Sequence, residues 1–364
     1  MRAFRLLILV LCFVAANEAL GDDTRLLRFP DIHNDRVAFV YAGDLYMAST
    51  DGGSAIRLTS HAGMELYPKF SPNGEQIAFS AEYNGTRQVY VIPTNGGTPR
   101  QLTWYNDVGP MPPRGGTDYR VLDWTPDGEH VLVRANRLPW GVRMGLYYLV
   151  PANGNESALE IPEGGGGMFS PDGTKIVYTP IDREFRTWKR YRGGRAQDVW
   201  VYDLANSQSA QLTEHRATDH QPVWVGDDIF FTSDRDYTLN LYRHAESGAV
   251  PVTNHDEFDV LWPSAGPNAI VYENGGWIYR FDPTTEQTEQ LNITVVGDRH
   301  ESLPKVVEAG KFVESASLSH TGKRVLMTAR GELFSVPAEK GPIRNLTRTP
   351  EAREIAASWS PDGT

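Results

Sequence analysis

Ser71-Pro72-Asn73-Gly74-Glu75-Gln76-Ile77-Ala78-Phe79, followed by Val89-Tyr90-Val91 and Leu102-Thr103, is the stretch from which the fold is read. Proline presets φ, the asparagine side chain bonds its own backbone and glycine accepts positive φ, so Ser-Pro-Asn-Gly is a β-turn. The run Ile77-Ala78-Phe79 and the alternating Val89-Tyr90-Val91 are strands. The turn returns at Thr125-Pro126-Asp127-Gly128, Ser170-Pro171-Asp172-Gly173 and Ser360-Pro361-Asp362-Gly363. Val131-Leu132-Val133 with Leu146-Tyr147-Tyr148, and Ile176-Val177-Tyr178 with Val199-Trp200-Val201-Tyr202, repeat the strand pair. Leu-Thr closes the unit at 58–59, 102–103, 212–213 and 346–347.

Two further units keep the strands without the proline turn. One runs from Val223-Trp224 through Ile229-Phe230-Phe231 and Leu239 to Tyr242 to Val252-Thr253; the other runs from Leu261-Trp262 through Ile270-Val271-Tyr272 and Trp277-Ile278-Tyr279 to Gln290-Leu291. Four strands in roughly 40 to 55 residues is the period of a propeller blade, not of a helical solenoid. The chain is therefore expected to be all-β: a six-bladed β-propeller over 22–294, a linker over 295–311, and the first blade or blades of a second propeller over 312–364. Gly297, Pro304 and Gly310 mark the linker. The last unit breaks off inside a turn, so the expectation is a piece of a longer protein. The aromatic residues Tyr90, Trp200, Tyr242 and Tyr279 fall on third strands and are read as packing between blades.

Of 364 residues, 40% are hydrophobic and 22% charged, as in a globular chain, and the net charge of −11 speaks against a polyanionic nucleic-acid partner. Arg2 and Arg5, an apolar run from Leu6 to Ala16 and the small residues of Ala19-Leu20-Gly21 compose a secretory signal over 1–21. The run is short for a membrane span, so an exported protein, periplasmic or secreted, without a stable membrane anchor is expected. The sole cysteine, Cys12, lies inside that run, and Leu11 before it disfavours lipid attachment. The mature chain then has no thiol for a disulfide or a metal.

Three stretches are more specific than the blades. They are Phe29-Pro30-Asp31-Ile32-His33-Asn34-Asp35-Arg36-Val37 with Tyr41 to Tyr46, the run from Arg183 to Arg195, and Gly331-Glu332-Leu333-Phe334 with Ala338-Glu339-Lys340-Gly341. Together they resemble the N-terminal part of tricorn-type serine proteases; the turns and strands alone also resemble TolB. The tricorn resemblance implies a six-bladed and then a seven-bladed propeller, followed by a catalytic region interrupted by a PDZ-like domain. It also implies a homo-oligomer that degrades peptides. The family's serine, histidine and acidic residues lie beyond the second propeller, so no catalytic residue is assigned within this chain, and no cofactor or metal is expected. Peptide substrates and the chain's own downstream catalytic domains are the implied partners. The alternative implied by TolB is a non-enzymatic periplasmic propeller that binds a protein.

Residue by residue, no Gly-x-Ser-x-Gly elbow occurs, and Ser319-His320 stands where other units place their turn. No His-Glu-x-x-His occurs, and His215 and His220 are placed in an inter-blade loop. The candidate contact residues are basic. Arg186, Lys189, Arg190, Arg192 and Arg195 crowd a hairpin insertion in the fourth unit, and Arg114 sits in Pro112-Pro113-Arg114-Gly115-Gly116. One reading is a solvated face with Trp188 and Tyr191 packed beneath it. The other is docking on an acidic domain or subunit, or guidance of peptide carboxylates, to which the arginine fork is suited.

Overall fold

A computed structural model describes residues 24–105, 119–135, 145–151, 155–162, 164–181, 191–193, 196–297, 306–349 and 352–363. The chain divides into two compact units, one ending at Val296 and one starting at Gly297. The first unit holds six antiparallel sheets among the described residues, each a meander of four sequence-consecutive strands. Their first strands are Arg28–His33, Glu65–Phe70, Arg120–Trp124, Gly167–Phe169, Asp219–Val225 and Leu261–Ala265. Each first strand contacts that of the next sheet, and the sixth contacts the first. This cyclic order is the arrangement of a β-propeller.

Strand alternation builds the ring. Val37 and Phe39 face the sixth sheet, packing with Val271 and Ile278, while Ala38 and Val40 between them face the second, packing with Ile77 and Phe79. Phe230 and Phe231 likewise split between the sixth sheet and the fourth. Every gap between consecutive sheets holds such a cluster. Fully burying one of these rings stabilises the fold by about 2–3 kcal/mol.

The repeated motifs acquire mechanisms. In the turn, Asn73, Asp127 and Asp172 each accept a hydrogen bond from the hydroxyl two residues back and from the backbone N–H two residues on. The threonine that closes each of four units caps that unit's third strand. Thr59, Thr103, Thr213 and Thr253 hydroxyls accept the N–H of Leu45, Val89, Val199 and Leu241 at 2.8–3.0 Å.

The ring closes with two segments that the blade repeat does not contain. Ile293–Thr294 pairs in parallel with Gly52–Arg57 as a fifth strand on the first sheet. Thr24 donates its N–H to Ile293 and accepts that of Val295 on its hydroxyl, 2.9 and 2.7 Å. Leu27 N–H reaches the Gly276 carbonyl on the sixth sheet at 3.0 Å.

The second unit holds one described sheet, Val313–Leu318, Arg324–Ala329, Glu332–Pro337 and Arg344–Asn345. Ser319-His320 joins its first two strands. The Ser319 carbonyl accepts Gly322 N–H at 2.8 Å, its hydroxyl accepts Arg324 N–H at 3.1 Å, and His320 Nε2 donates to the Ser360 carbonyl at 3.0 Å. The pair is a turn.

Candidate functional site

The six first strands enclose an axial cavity of about 440 Å³. Its walls carry Phe29, Tyr67, Phe70, Trp124, Met168, Phe169, Trp224 and Trp262, with Asp31, His33, Lys69, Arg120, Asp123, Gln221 and Ser264 as polar groups. Pro72, Pro126 and Pro171 of the repeated turns line it too. The turns therefore serve the site as well as the blades. A Cβ on Gly173 would lie 3.4 Å from Pro126, and one on Gly74 would overlap the His33 ring.

Toward the N-terminal ends of these strands the lumen is obstructed. Four first strands place a residue at φ 51–55° immediately before a proline: Phe29-Pro30, Tyr67-Pro68, Gln221-Pro222 and Trp262-Pro263. Left-handed backbone is disfavoured for a bulky residue and again by a following proline. Each of the four lies in a break of strand register. The bulges bring three rings together: Phe29–Tyr67 centroids are 4.6 Å apart, Phe29–Trp262 5.0 Å and Tyr67–Trp262 5.5 Å. Arg120 lies over both Tyr67 and Trp262 at 4.9 Å. Arg120 belongs to the third sheet and Trp262 to the sixth, opposite it in the cycle, so the guanidinium spans the channel axis. Gln221 Oε1 accepts Trp262 N–H at 3.2 Å, holding the bulge from the fifth sheet.

One step further along lies a charged level. Asp31 Oδ2 accepts Phe70 N–H at 2.6 Å; its Oδ1 accepts the Ser264 hydroxyl and lies 3.4 Å from Lys69 Nζ. Lys69 Nζ also donates to Ser264. Asp31, on the first sheet, is thus held by groups from the second and sixth sheets. On the opposite wall Asp123 Oδ2 accepts Phe169 N–H at 2.9 Å. Burial in the ring pushes the Asp123 carboxyl up to about 7, against the pull of that N–H and of Lys69. His33 is lowered, chiefly by burial and then by Arg36.

Of the basic contact candidates read from the sequence, Arg192 is among the described residues. Its Nη1 lies 3.0 and 3.3 Å from the two oxygens of Asp234, a buried carboxylate just after the strand Asp228–Ser233 that also accepts Thr218 N–H at 2.9 Å. Arg114, Arg186, Lys189, Arg190 and Arg195 lie outside the described residues. His220 is not in a loop. It lies within the strand Asp219–Val225 and is buried, while His215 Nδ1 accepts Ala217 N–H at 3.0 Å. Among the described residues no three His, Cys, Asp or Glu side chains group as a metal site would need, and no helix is long and apolar enough to cross a membrane. Reading by blades missed the axial residues. The available signal was the recurrence of x-Pro at one position of the first strand in four units.

Comparison with known proteins adds sequence kinship. Residues 24–287 match the family described as Tricorn protease N-terminal beta propeller domain. Tricorn protease homolog 1 of Streptomyces coelicolor is 30% identical over 337 residues, covering 90% of this chain and 30% of that protein. The Tol-Pal system protein TolB of Anaeromyxobacter dehalogenans is 38% identical over 105 residues, covering 28% of this chain and 20% of that protein. The crystal structure of the tricorn protease superposes with a TM-score of 0.69 at 24% identity, covering 91% of this chain and 32% of that one, which speaks for the fold. The chain spans about 30% of the length of the curated tricorn relatives it matches.

Proposed function

The chain belongs to the tricorn protease N-terminal beta propeller domain family, and on that premise we propose that it is the six-bladed propeller of an exported, tricorn-like serine protease that degrades peptides. In this reading the catalytic residues lie in downstream domains, the second unit opens a second propeller, and the first propeller is a scaffold that filters what passes along its axis. The observation that carries the filter is the Arg120 guanidinium lying across the channel on Tyr67 and Trp262. An open pipe admits whatever fits, whereas a barred one sorts by size and charge. The arginine-rich insertion, whose Arg192 pairs with Asp234, is the segment proposed to dock on an acidic neighbouring domain or subunit of a homo-oligomer.

The test uses the longer protein that contains this chain. Wild type and Arg120→Ala are compared on peptides of increasing length, with a serine-directed inhibitor as control. Inhibitor-sensitive hydrolysis is expected, with the variant shifted toward longer peptides and little changed on dipeptides. Hydrolysis that resists the inhibitor, or the same length profile in both proteins, would defeat the proposal.

A further inference from the structure

We propose that the outer strand of the fourth sheet, Gln208–Gln211, pairs antiparallel with the same strand of a second copy of this chain, joining two sheets into one across a two-fold axis at Ala210. The inference rests on the sheet edges alone and holds whether or not the propeller belongs to a protease.

The outer strand of a blade exposes a row of backbone N–H and C=O groups that template another strand, and folded proteins blunt such edges with charge, proline, brevity or a cover. The other described sheets all do so. Ile293–Thr294 covers Gly52–Arg57 on the first. Arg100–Gln101 and Ser157–Ala158 are two residues long, the one opening on an arginine after Pro99 and the other following Glu156. Gly248–Pro251 ends in proline, Gln287–Gln290 contains Glu289, and Arg344–Asn345 is again two residues opening on an arginine. Gln208–Gln211 has none of these devices. All four of its residues are exposed, no described strand lies beyond it, and the run from Ala205 to Thr213 carries neither charge nor proline.

Charge and register choose the partner. At a net charge of −11, copies of this chain repel over most of their surface, and an uncharged edge is where they approach at least cost. Leu212 N–H bonds the Val199 carbonyl of the inner neighbour at 2.8 Å. In an antiparallel ladder, residues bonded to one neighbour alternate with residues whose N–H and C=O point away. The backbone of Gln208 and Ala210 therefore faces inward like that of Leu212, while Ser209 and Gln211 present theirs outward. Their side chains are engaged on their own sheet: the Ser209 and Tyr178 hydroxyls are 2.9 Å apart, and Gln211 Nε2 donates to the Thr213 carbonyl at 2.9 Å. Pairing centred on Ala210 sets Ser209 opposite Gln211 of the partner subunit, and the reverse, so every outward backbone group of these two residues finds a partner. Ala210 meets Ala210 of the partner subunit as a non-hydrogen-bonded pair, where α-carbons lie about 4.5 Å apart. A methyl group permits that approach. The contact is self-complementary, as an isologous two-fold interface must be.

The experiment is sedimentation equilibrium of the chain from about 5 to 500 µM. A reversible dimer is expected, with Kd of about 10–500 µM, at the weak end for protein pairs. Ala210→Lys sets two ammonium groups face to face on the axis and is expected to weaken the dimer by about fivefold or more. Ala210→Glu is expected to do the same, and an equimolar mixture of the two variants to dimerise again. Position 210 is exposed, so neither variant disturbs the core. Cys12 is the sole cysteine, and Cys12→Ser gives a background without thiols. In that background Ala210→Cys is expected to yield a disulfide-linked dimer on oxidation, whereas Gln208→Cys, roughly 14 Å from its counterpart in this register, is not. A monomer at every concentration, a dimer indifferent to charge at position 210, or cross-linking at 208 in place of 210 would overturn the proposal. A dimer that salt dissolves and Ala210→Lys leaves intact would place association on charged groups elsewhere and overturn it as well.

Discussion

Glu65 is expected to make the propeller less stable at neutral pH than under mild acid. It opens the second sheet's first strand and is fully buried. The Thr59 hydroxyl donates to its Oε2 at 3.0 Å, while its Oε1 is buried without a hydrogen bond and the Tyr83 hydroxyl lies near the carboxyl. Arg57, the nearest cation, pairs instead with Asp44 at 2.5 Å. Burial pushes the Glu65 carboxyl from 4.5 to about 7, with Asp44 adding to the effect and the two hydroxyls opposing it. A carboxyl that is a weaker acid folded than unfolded binds more protons in the folded state between those two values. Its contribution is therefore fully present below pH 4.5, falls as pH rises, and is lost above about 7. The span corresponds to roughly 3 kcal/mol at most. Glu65→Gln keeps the shape and an acceptor for Thr59 but cannot ionise. Urea unfolding from pH 5 to 8 should show the variant gaining on wild type by roughly 1–3 kcal/mol across that window. Asp172, held at about 2 by Ser170 and Thr174, acts only below pH 4 and does not interfere. A difference between variant and wild type that does not change with pH would refute the reasoning.

Gly74→Ala should cost more than Gly173→Ala, which meets only an ordinary contact with Pro126: about 2–4 kcal/mol against about 1–2, read as loss in thermal unfolding. Thr103→Val leaves the buried Val89 N–H without its acceptor at 2.9 Å and should destabilise by about 1–3 kcal/mol in the same assay. Arg192→Met strands the buried Asp234 carboxylate and should lower the denaturation midpoint by about 1–3 kcal/mol equivalent; unchanged stability would show that the ion pair is only a surface contact. Mass spectrometry of protein recovered from exporting cells should find a chain that starts near Asp22, and a start at Met1 would refute the export signal.

The propeller was legible because its instructions are local. A Ser-Pro-Asp-Gly turn needs only four adjacent residues to bond one another, and strand alternation needs only neighbours, so each blade announces itself in about 45 residues of sequence. The Leu-Thr pair was visible as a repeat, yet that its hydroxyl caps the third strand emerged from the hydrogen bonds. His220 was misplaced because strand and loop look alike where the proline turn is missing. Ring closure lay outside the repeat altogether. Residues 24 and 293–295 meet only after six sheets have come full circle. The site depends on that closure most of all. Arg120 and Trp262 stand 142 positions apart in sequence and come together because the third and sixth sheets are opposite in the cycle. The weakened acidity of Asp123 is likewise a property of the surrounding ring and not of its own segment. Sequence by itself determined the blades, since their turns and strands are made by near neighbours. Tertiary structure alone decided what faces the axis, because only a closed ring brings six distant strands around one space.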